Sequence, residues 1–364
     1  MNSSHILYIY VSIFKKDHQI GFMVEDQLKQ QFNAVLSKII IIVIVIALNS
    51  CVKESNNVVL NDWEIEKQDI VGSLLPWPLI DDPEYTNISL ARSIADHEPV
   101  IVYKGENQVY IYPTGEMTHV EIINDRIDGI PLAITYCPLT KSSIAWRRDF
   151  KTDTLHFTPS GFLFNSNLLA YDFETKSIWS QMRIEAVQGD RNGQKLQLLP
   201  LLEIRWGSIK NHFPGALVFT GRNKSSNDDT SFANQRISDK SKISSPETGD
   251  KVFGILKGNR VNIFPMEGFE EDVTILNSNS IDDLIVVGSI DHEFVVAFET
   301  TYNMSPVQQS FPVIMKDDSG SNWNIFGEAI DGPRKGERLQ VPTAYSALFW
   351  AWEGVFEDKT ISVN

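Results

Sequence analysis

From residue 99 onward the chain alternates short apolar runs with turn-forming clusters. The runs PVIVYKG, QVYIYP, THVEII and PLAITY are rich in Val, Ile, Tyr and Thr, and KGEN, PTGE, NDRIDG and KTD separate them. That spacing predicts strands and turns. LHFTPSG and GALVFTG continue the texture, and KVFGILKG, RVNIFP, DVTIL, DLIVVGS and FVVAFET resume it after residue 250. Long runs of 3.6-residue period are absent, which argues against a helical bundle. Short helices are expected at residues 88–97 and in the second half of LQLLPLLEIRWGSIKNHF. Residues 57–93, broken by Pro76, Pro78 and Pro83, read as a lead-in packed across the main body. The expected fold is mainly β, with some short helices.

Two stretches depart from this texture. Residues 221–250 are rich in Ser, Asn and Asp and nearly lack large apolar side chains, as in an exposed linker. Residues 39–48, IIIIVIVIAL, are an unbroken apolar run after Lys29 and Lys38. Ten residues are too few to cross a bilayer comfortably but suit the apolar core of a signal peptide. Leu48-Asn49-Ser50-Cys51 resembles a bacterial lipobox, in which the cysteine is acylated and becomes the mature N-terminus. Residues 1–50 are therefore expected to be a signal peptide, with Met23 an alternative start, and Cys51 the lipidation site. The alternative is a membrane anchor with an incidental cysteine. Residues 51–98 would be the lipidated tether and lead-in. Lys53-Glu54 resembles a surface-export signal, so both the periplasmic face and the outer membrane, exposed surface included, stay open.

The two sides of the linker match in order. Lys104-Gly105 with Val109, Ile111 and Pro113 matches Lys257-Gly258 with Val261, Ile263 and Pro265. Asn124 meets Asn277, Ala145-Trp146 meets Ala297-Phe298, and Trp179 meets Trp323. Gly189, Arg191, Gly193, Leu196 and Gln197 meet Gly332, Arg334, Gly336, Leu339 and Gln340. Without a gap, Trp206 then meets Phe349. Two tandem related β-rich modules, 99–220 and 251–364, packed as one body with pseudo-twofold character, are the expected architecture. The glycines of G-x-R-x-G read as turn positions, and their spacing fits neither a phosphate loop nor a dinucleotide fingerprint. Residues shared by both modules read as scaffold. Polar residues unique to the first are the better functional candidates.

Charge narrows the partners. The 364 residues carry a net charge of -15, which repels phosphate backbones and argues against nucleic acid. The acidity is spread along the chain and reads as solubility. Two cysteines, Cys51 and Cys137, allow at most one disulfide. If Cys51 is acylated, Cys137 has no partner within the chain.

Four segments are distinctive: Thr-Tyr-Cys-Pro-Leu at 135–139, Ser-Gly-x-Leu-x-Asn-Ser at 160–166, Tyr-Asp-x-x-Thr-x-Ser-x-Trp-x-Gln at 171–181 and Gly-x-x-x-Gly-x-x-Leu at 189–196. Together they resemble a bacterial and archaeal family known as domain of unknown function 3179. The resemblance covers most of the chain after the signal. It implies a shared fold and motif set, and the family's name carries no reaction. Many members continue the first segment with a second cysteine, giving C-x-x-C. Thr140 stands there in this chain, which removes the second sulfur that a dithiol cycle or a two-thiolate metal site would need.

Candidate chemistry concentrates in the first module. Cys137 is a packing thiol, a metal or ligand contact, or a nucleophile that Lys141, Arg147 and Arg148 would favour as thiolate. Asp172 and Glu174, two apart, are expected on one side of a strand, either as a carboxylate pair for acid-base work or as strand-edge and turn residues. Arg148, Ser160, Asn165 and Gln181 are the ligand-binding candidates, Arg148 as an anion partner. The repeated Trp179 reads as packing. No histidine pair has metal-ligand spacing, and neither a metal nor a cofactor is expected. The leading expectation is a lipid-anchored cell-envelope binding or interaction module, its partner an unknown ligand or envelope protein. The alternative is an envelope enzyme using Cys137 or the Asp172/Glu174 carboxylates.

Overall fold

The computed structural model of the chain describes residues 63–150, 153–221, 249–277 and 283–363. Residues 1–50, read as a signal peptide, Cys51, expected to be the lipidation site, and all but the ends of the 221–250 stretch lie outside the described residues.

The fold is mainly β. The first half forms β1 (Ile70–Gly72), β2 (Glu84–Asn87), β3 (Pro99–Lys104), β4 (Val109–Pro113), helix α1 (Thr114–Val120), β5 (Ile122–Ile127), β6 (Ile130–Cys137) and β7 (Ser142–Arg147). It continues through β8 (Asp149–Phe150), β9 (Asp153–Thr154), β10 (Phe157–Phe164), β11 (Asn167–Asp172), β12 (Ile178–Ser180) and β13 (Glu185–Gln188). It ends with β14 (Leu198–Leu199), β15 (Leu202–Arg205), the single-turn α2 (Trp206–Ile209) and β16 (Leu217–Gly221). The second half forms β17 (Lys251–Lys257), β18 (Arg260–Pro265), β19 (Thr274–Asn277), β20 (Leu284–Ser289), β21 (Phe294–Glu299) and β22 (Met304–Pro306). β23 (Val313–Asp317), β24 (Asn322–Asn324), β25 (Ala344–Leu348), α3 (Phe349–Val355) and β26 (Thr360–Val363) complete it.

One pairing pattern occurs on both sides of residue 250. β15 lies antiparallel to β3, β3 antiparallel to β4, and β16 runs parallel to β4. Likewise β25 lies antiparallel to β17, β17 antiparallel to β18, and β26 runs parallel to β18. The meander β5-β6-β7 has its counterpart in β19-β20-β21. Even single bonds correspond: Arg147 N donates to Gln197 O at 2.9 Å, and Glu299 N donates to Gln340 O at 2.9 Å.

The core explains why the runs are so continuously apolar. Side chains alternate faces along a strand, so PVIVY buries Val100 and Val102 on one side and Ile101 and Tyr103 on the other. Ile101 and Tyr103 pack with Ile123, Leu132 and Ile134 of the same half. Val100, Val102 and Ile111 pack instead with Val287, Val296, Phe298 and Ile314 of the other half. The exchange is reciprocal. Phe253, Ile255 and Phe264 pack on Val286 and Ala297 of their own half. Val252, Val261 and Ile263 belong to one cluster with Trp146, Leu169 and Trp179 of the first. Each half thus supplies a two-faced sheet whose second face is covered largely by the other half, with help from its own short helix. With each fully buried Val, Ile or Phe contributing about 1.5–3 kcal/mol, that shared face is a large fraction of the driving force.

Two local expectations need correction. Residues 88–97 form only a single 3-10 turn, Ile88–Leu90, which Asn87 caps by accepting from Ser89 N at 3.0 Å. Beyond it the backbone is spent on tertiary bonds: Trp206 N donates to Glu98 O and Gly207 N to Asp96 O, both at 2.8 Å. The segment PTGE, read as a turn before a strand THVEII, instead starts α1. Pro113 supplies a helix-compatible φ of -59° at its N-cap, Thr114 Oγ1 donates to Pro99 O at 2.9 Å, and Met117 is buried beneath it. The strand starts at Ile122, after Glu121 turns the chain with φ 60°.

Residues 63–220 expressed alone should fail to unfold cooperatively and should bind a hydrophobic dye, because Val100, Val102 and Ile111 lose their cover. Thermal melting checks this. A sharp two-state transition in that fragment would show that its sheet needs no partner.

Candidate functional site

The TYCPLT segment ends β6 and turns into β7. Its polar side chains meet those of β11 and the end of β12 in one buried network. Gln181 uses all its hydrogen-bonding capacity there. Its Nε2 donates to Thr135 Oγ1 (2.9 Å) and Ser142 O (3.1 Å), and its Oε1 accepts from Ser142 Oγ (2.7 Å) and Asn167 Nδ2 (2.8 Å). Asn167 Nδ2 also reaches Thr140 Oγ1 at 3.0 Å, and its Oδ1 accepts from Met182 N at 3.2 Å. Thr140, the position of the missing second cysteine, therefore supplies a hydroxyl that this amide uses. Thr135, Thr140, Ser142, Asn167 and Gln181 are all sealed from solvent. Every amide position has a partner, so the network specifies how β6, β7, β11 and β12 meet and leaves no donor for a ligand.

Cys137 is buried and unpaired, and its thiol donates weakly to Ser166 O at 3.6 Å. Ser160 Oγ donates to Leu169 O (2.6 Å) and accepts from Phe162 N (3.0 Å), bracing the β10 bulge. Beside it Gly161 is indispensable: a Cβ there would sit 2.3 Å from Ser73 O of the lead-in. Asn165 and Ser166 both have positive φ and form the two-residue β10–β11 hairpin turn, the geometry that favours Asn. Asn165 Nδ2 also donates to Gly354 O at 2.7 Å, tying this hairpin to α3.

Asp172 and Glu174 are not a strand pair. β11 ends at Asp172, and Glu174 lies in the following turn. The Asp172 carboxylate organises that turn, accepting from Thr175 N (2.5 Å), Thr175 Oγ1 (2.7 Å), Ser177 N (3.3 Å) and Trp179 Nε1 (2.7 Å). Glu174 faces elsewhere and holds His156 through N and Nδ1, both at 2.7 Å. The Asp172 arrangement is repeated at Asp317, which accepts from Ser319 N (2.8 Å), Ser321 N (3.0 Å) and Trp323 Nε1 (3.0 Å). Above each turn a glycine closes the packing: a Cβ on Gly189 would meet Ser177 Cα at 2.7 Å, and one on Gly332 would meet Ser321 Cα at 2.6 Å. Burial alone would raise the Asp317 carboxyl. The bonds from Ser319, Ser321 and Trp323 outweigh it and hold the group at about 2.

Arg148 is buried, and its guanidinium caps three carbonyls: Leu132 O (3.0 Å), Leu155 O (2.9 Å) and Asp125 O (3.1 Å). Burial lowers its pKa. Asp81 of the lead-in lies 3.7 Å from Arg148 Nη2 and 3.6 Å from His156 Nε2. The same lead-in is gripped by Asn124, whose Nδ2 donates to Ile80 O at 2.9 Å and to Phe157 O at 2.8 Å. Burial raises the nearby Asp125 carboxyl, a trend that the Tyr85 hydroxyl and Arg126 N partly offset.

Open space lies elsewhere, in several clefts of about 250 to 470 Å³. A cleft of about 250 Å³ separates β3 and β15 from β21 and the segment after β24. Val102, Leu202, Phe253, Ala297, Phe298 and Ile325 line its interior, and all are buried. Lys104, Glu328 and Arg338 stand among its lining residues as a charged set. Lys104 Nζ is 3.8 Å and Arg338 Nη2 2.9 Å from Glu328 Oε1. Sequence reasoning missed this cleft, because its walls come from both halves and from segments far apart in the chain. The one available hint was that Lys104 opens the matched Lys-Gly turns. Among the described residues no group of three or more His, Cys, Asp and Glu is placed to hold a metal ion.

The chain belongs to the family described as Protein of unknown function (DUF3179), whose model matches residues 76–360. No curated protein and no solved structure matches it. Two expectations follow from the geometry of the family's segments. Asp317→Asn should cost about 2 kcal/mol near neutral pH. Because the folded carboxyl is depressed, the stability it contributes is present above the unfolded value and lost as pH falls from about 4 through about 2. The variant should therefore lose less stability than the parent across that window in denaturant titrations; parallel curves would contradict the assignment. In a Cys51→Ser background, Cys137 should resist a thiol reagent until denaturant opens the core. Rapid labelling of the native protein would show an accessible thiol.

Proposed function

We propose that this protein is a lipid-anchored binding protein of the cell envelope, and that its ligand occupies the cleft between β3/β15 and β21. The signal segment 1–50, acylation at Cys51 and descent of the two halves, 99–220 and 251–364, from one duplicated module are parts of the same proposal. The observation that carries the binding reading is the cleft itself: an apolar interior with a charged set at its edge, formed where the two halves meet. Ligand sites have this composition, an apolar lining with a few placed polar groups.

A comparison between the halves supports it. Counting back from the matched Trp206 and Phe349, Leu202 corresponds to Tyr345. The Tyr345 hydroxyl donates to Met182 O, and its ring stacks on Trp352 with centroids 4.6 Å apart. Leu202 is smaller and has no hydroxyl, and it lines the cleft. At the matching position of the next segment Ile325 replaces Gln181, so the second half has an apolar cleft wall where the first has its amide network. Cys137, Asp172 and Gln181 are sealed from solvent, whereas this cleft has room for a ligand.

Two measurements test the reading. The full chain expressed in a bacterial envelope should fractionate with membranes, and Cys51→Ser should release it. Native mass spectrometry of protein from its own host should show a small bound molecule that Val341→Trp, at the partly exposed edge of the cleft, prevents. Spectra free of any adduct in both forms would remove the cleft as the functional site.

A further inference from the structure

We propose that the cleft takes a compact amphiphile, a short alkyl or aryl body with one anionic head, of the class of medium-chain monocarboxylates. This rests on the binding reading above and adds the ligand's chemistry. The interior defines the body. Its lining is mostly aliphatic or phenylalanine, with Tyr103 and Pro200 beside them, and its volume of about 250 Å³ falls below the usual range for drug-sized ligands.

The charged set defines the head. Two cations, Lys104 and Arg338, converge on the single carboxylate of Glu328. Glu328 is held by the body of the protein: its Oε2 accepts from Asn324 Nδ2 at 3.0 Å and its backbone N donates to Asn324 Oδ1 at 3.0 Å. Lys104 also donates to Gly105 O and to Glu106 O at 3.0 Å. Arg338 is different. Its side chain is 59% exposed and reaches Glu328 through Nη2, which leaves most of a five-donor fork to solvent. The cleft edge thus carries one net positive charge in a chain of net charge -15. One carboxylate balances it and can bond the guanidinium in the bidentate manner. A polyphosphate would bring more negative charge than the set can neutralise. A neutral apolar molecule would leave the fork unused.

The test is calorimetric titration of residues 51–364 carrying Cys51→Ser, with hexanoate, octanoate and octanol as probes. Octanoate should bind more tightly than hexanoate by about fourfold per methylene, and more tightly than octanol by about tenfold. Arg338→Gln should weaken octanoate about tenfold and leave octanol unchanged. Glu328→Gln, which removes the competing carboxylate, should strengthen octanoate severalfold. Melting curves establish that both variants stay folded. Octanol matching octanoate, with no effect of Arg338→Gln, overturns the anionic head while the cleft remains a binding site. No heat from any probe, in the parent and in Val341→Trp alike, overturns the cleft reading as well.

Discussion

The fold depends on one constraint: two central sheets are apolar on both faces, and each needs the opposite half to cover one of them. An antiparallel sheet with one solvated face shows alternating polar and apolar residues. β3 and β17 do not, since residues 100–103 and 252–255 are buried at consecutive positions. Once these two sheets exist, the remainder must wrap around them. The β5–β7 and β19–β21 meanders cover one face each within their own half, and the β10–β13 and β22–β24 ribbons reach across to the other.

Within that frame, the distinctive polar residues work as fasteners. Asp172 with Trp179 and Asp317 with Trp323 pin two equivalent turns, each closed by a glycine lying on a serine. Asn124 and Arg148 satisfy carbonyls that would otherwise be stranded between the lead-in and β10. Gln181 satisfies Ser142 O and bonds the Asn167 amide and the Thr135 hydroxyl, joining β6, β7 and β11. Buried polar groups are costly unless fully bonded, and here they are bonded to backbone or to one another. Residues of this kind look like a site in the sequence because catalysis and buried architecture draw on the same side chains.

Much of the strand content was legible, because β-branched and aromatic runs between turn residues have few other structural solutions. The hairpin at Asn165-Ser166 and the tight approach at Gly161 are also written in residue type. α1 was not legible: Pro-Thr-Gly-Glu has the composition of a turn, and only Met117 docking beneath it makes a helix. The Asp172/Glu174 pairing failed because strand alternation was extended one step beyond the end of β11. The cleft was illegible for a different reason. Val102, Leu202, Phe298 and Ile325 are ordinary core residues singly, and their shared cavity exists only through the way the halves meet.

The exchange of cover between halves also bears on how the molecule is made. The face of β3 that carries Val100 and Val102 finds its cover in strands synthesised much later, and β18 pairs with β26 at the far end of the described chain. At ~5–20 residues per second, the nascent first half waits roughly seven to thirty seconds for the second to be completed. Long-range pairing of this kind is intrinsically slow. A chain that stays unfinished for that interval exposes apolar surface until the strands that cover it have been made.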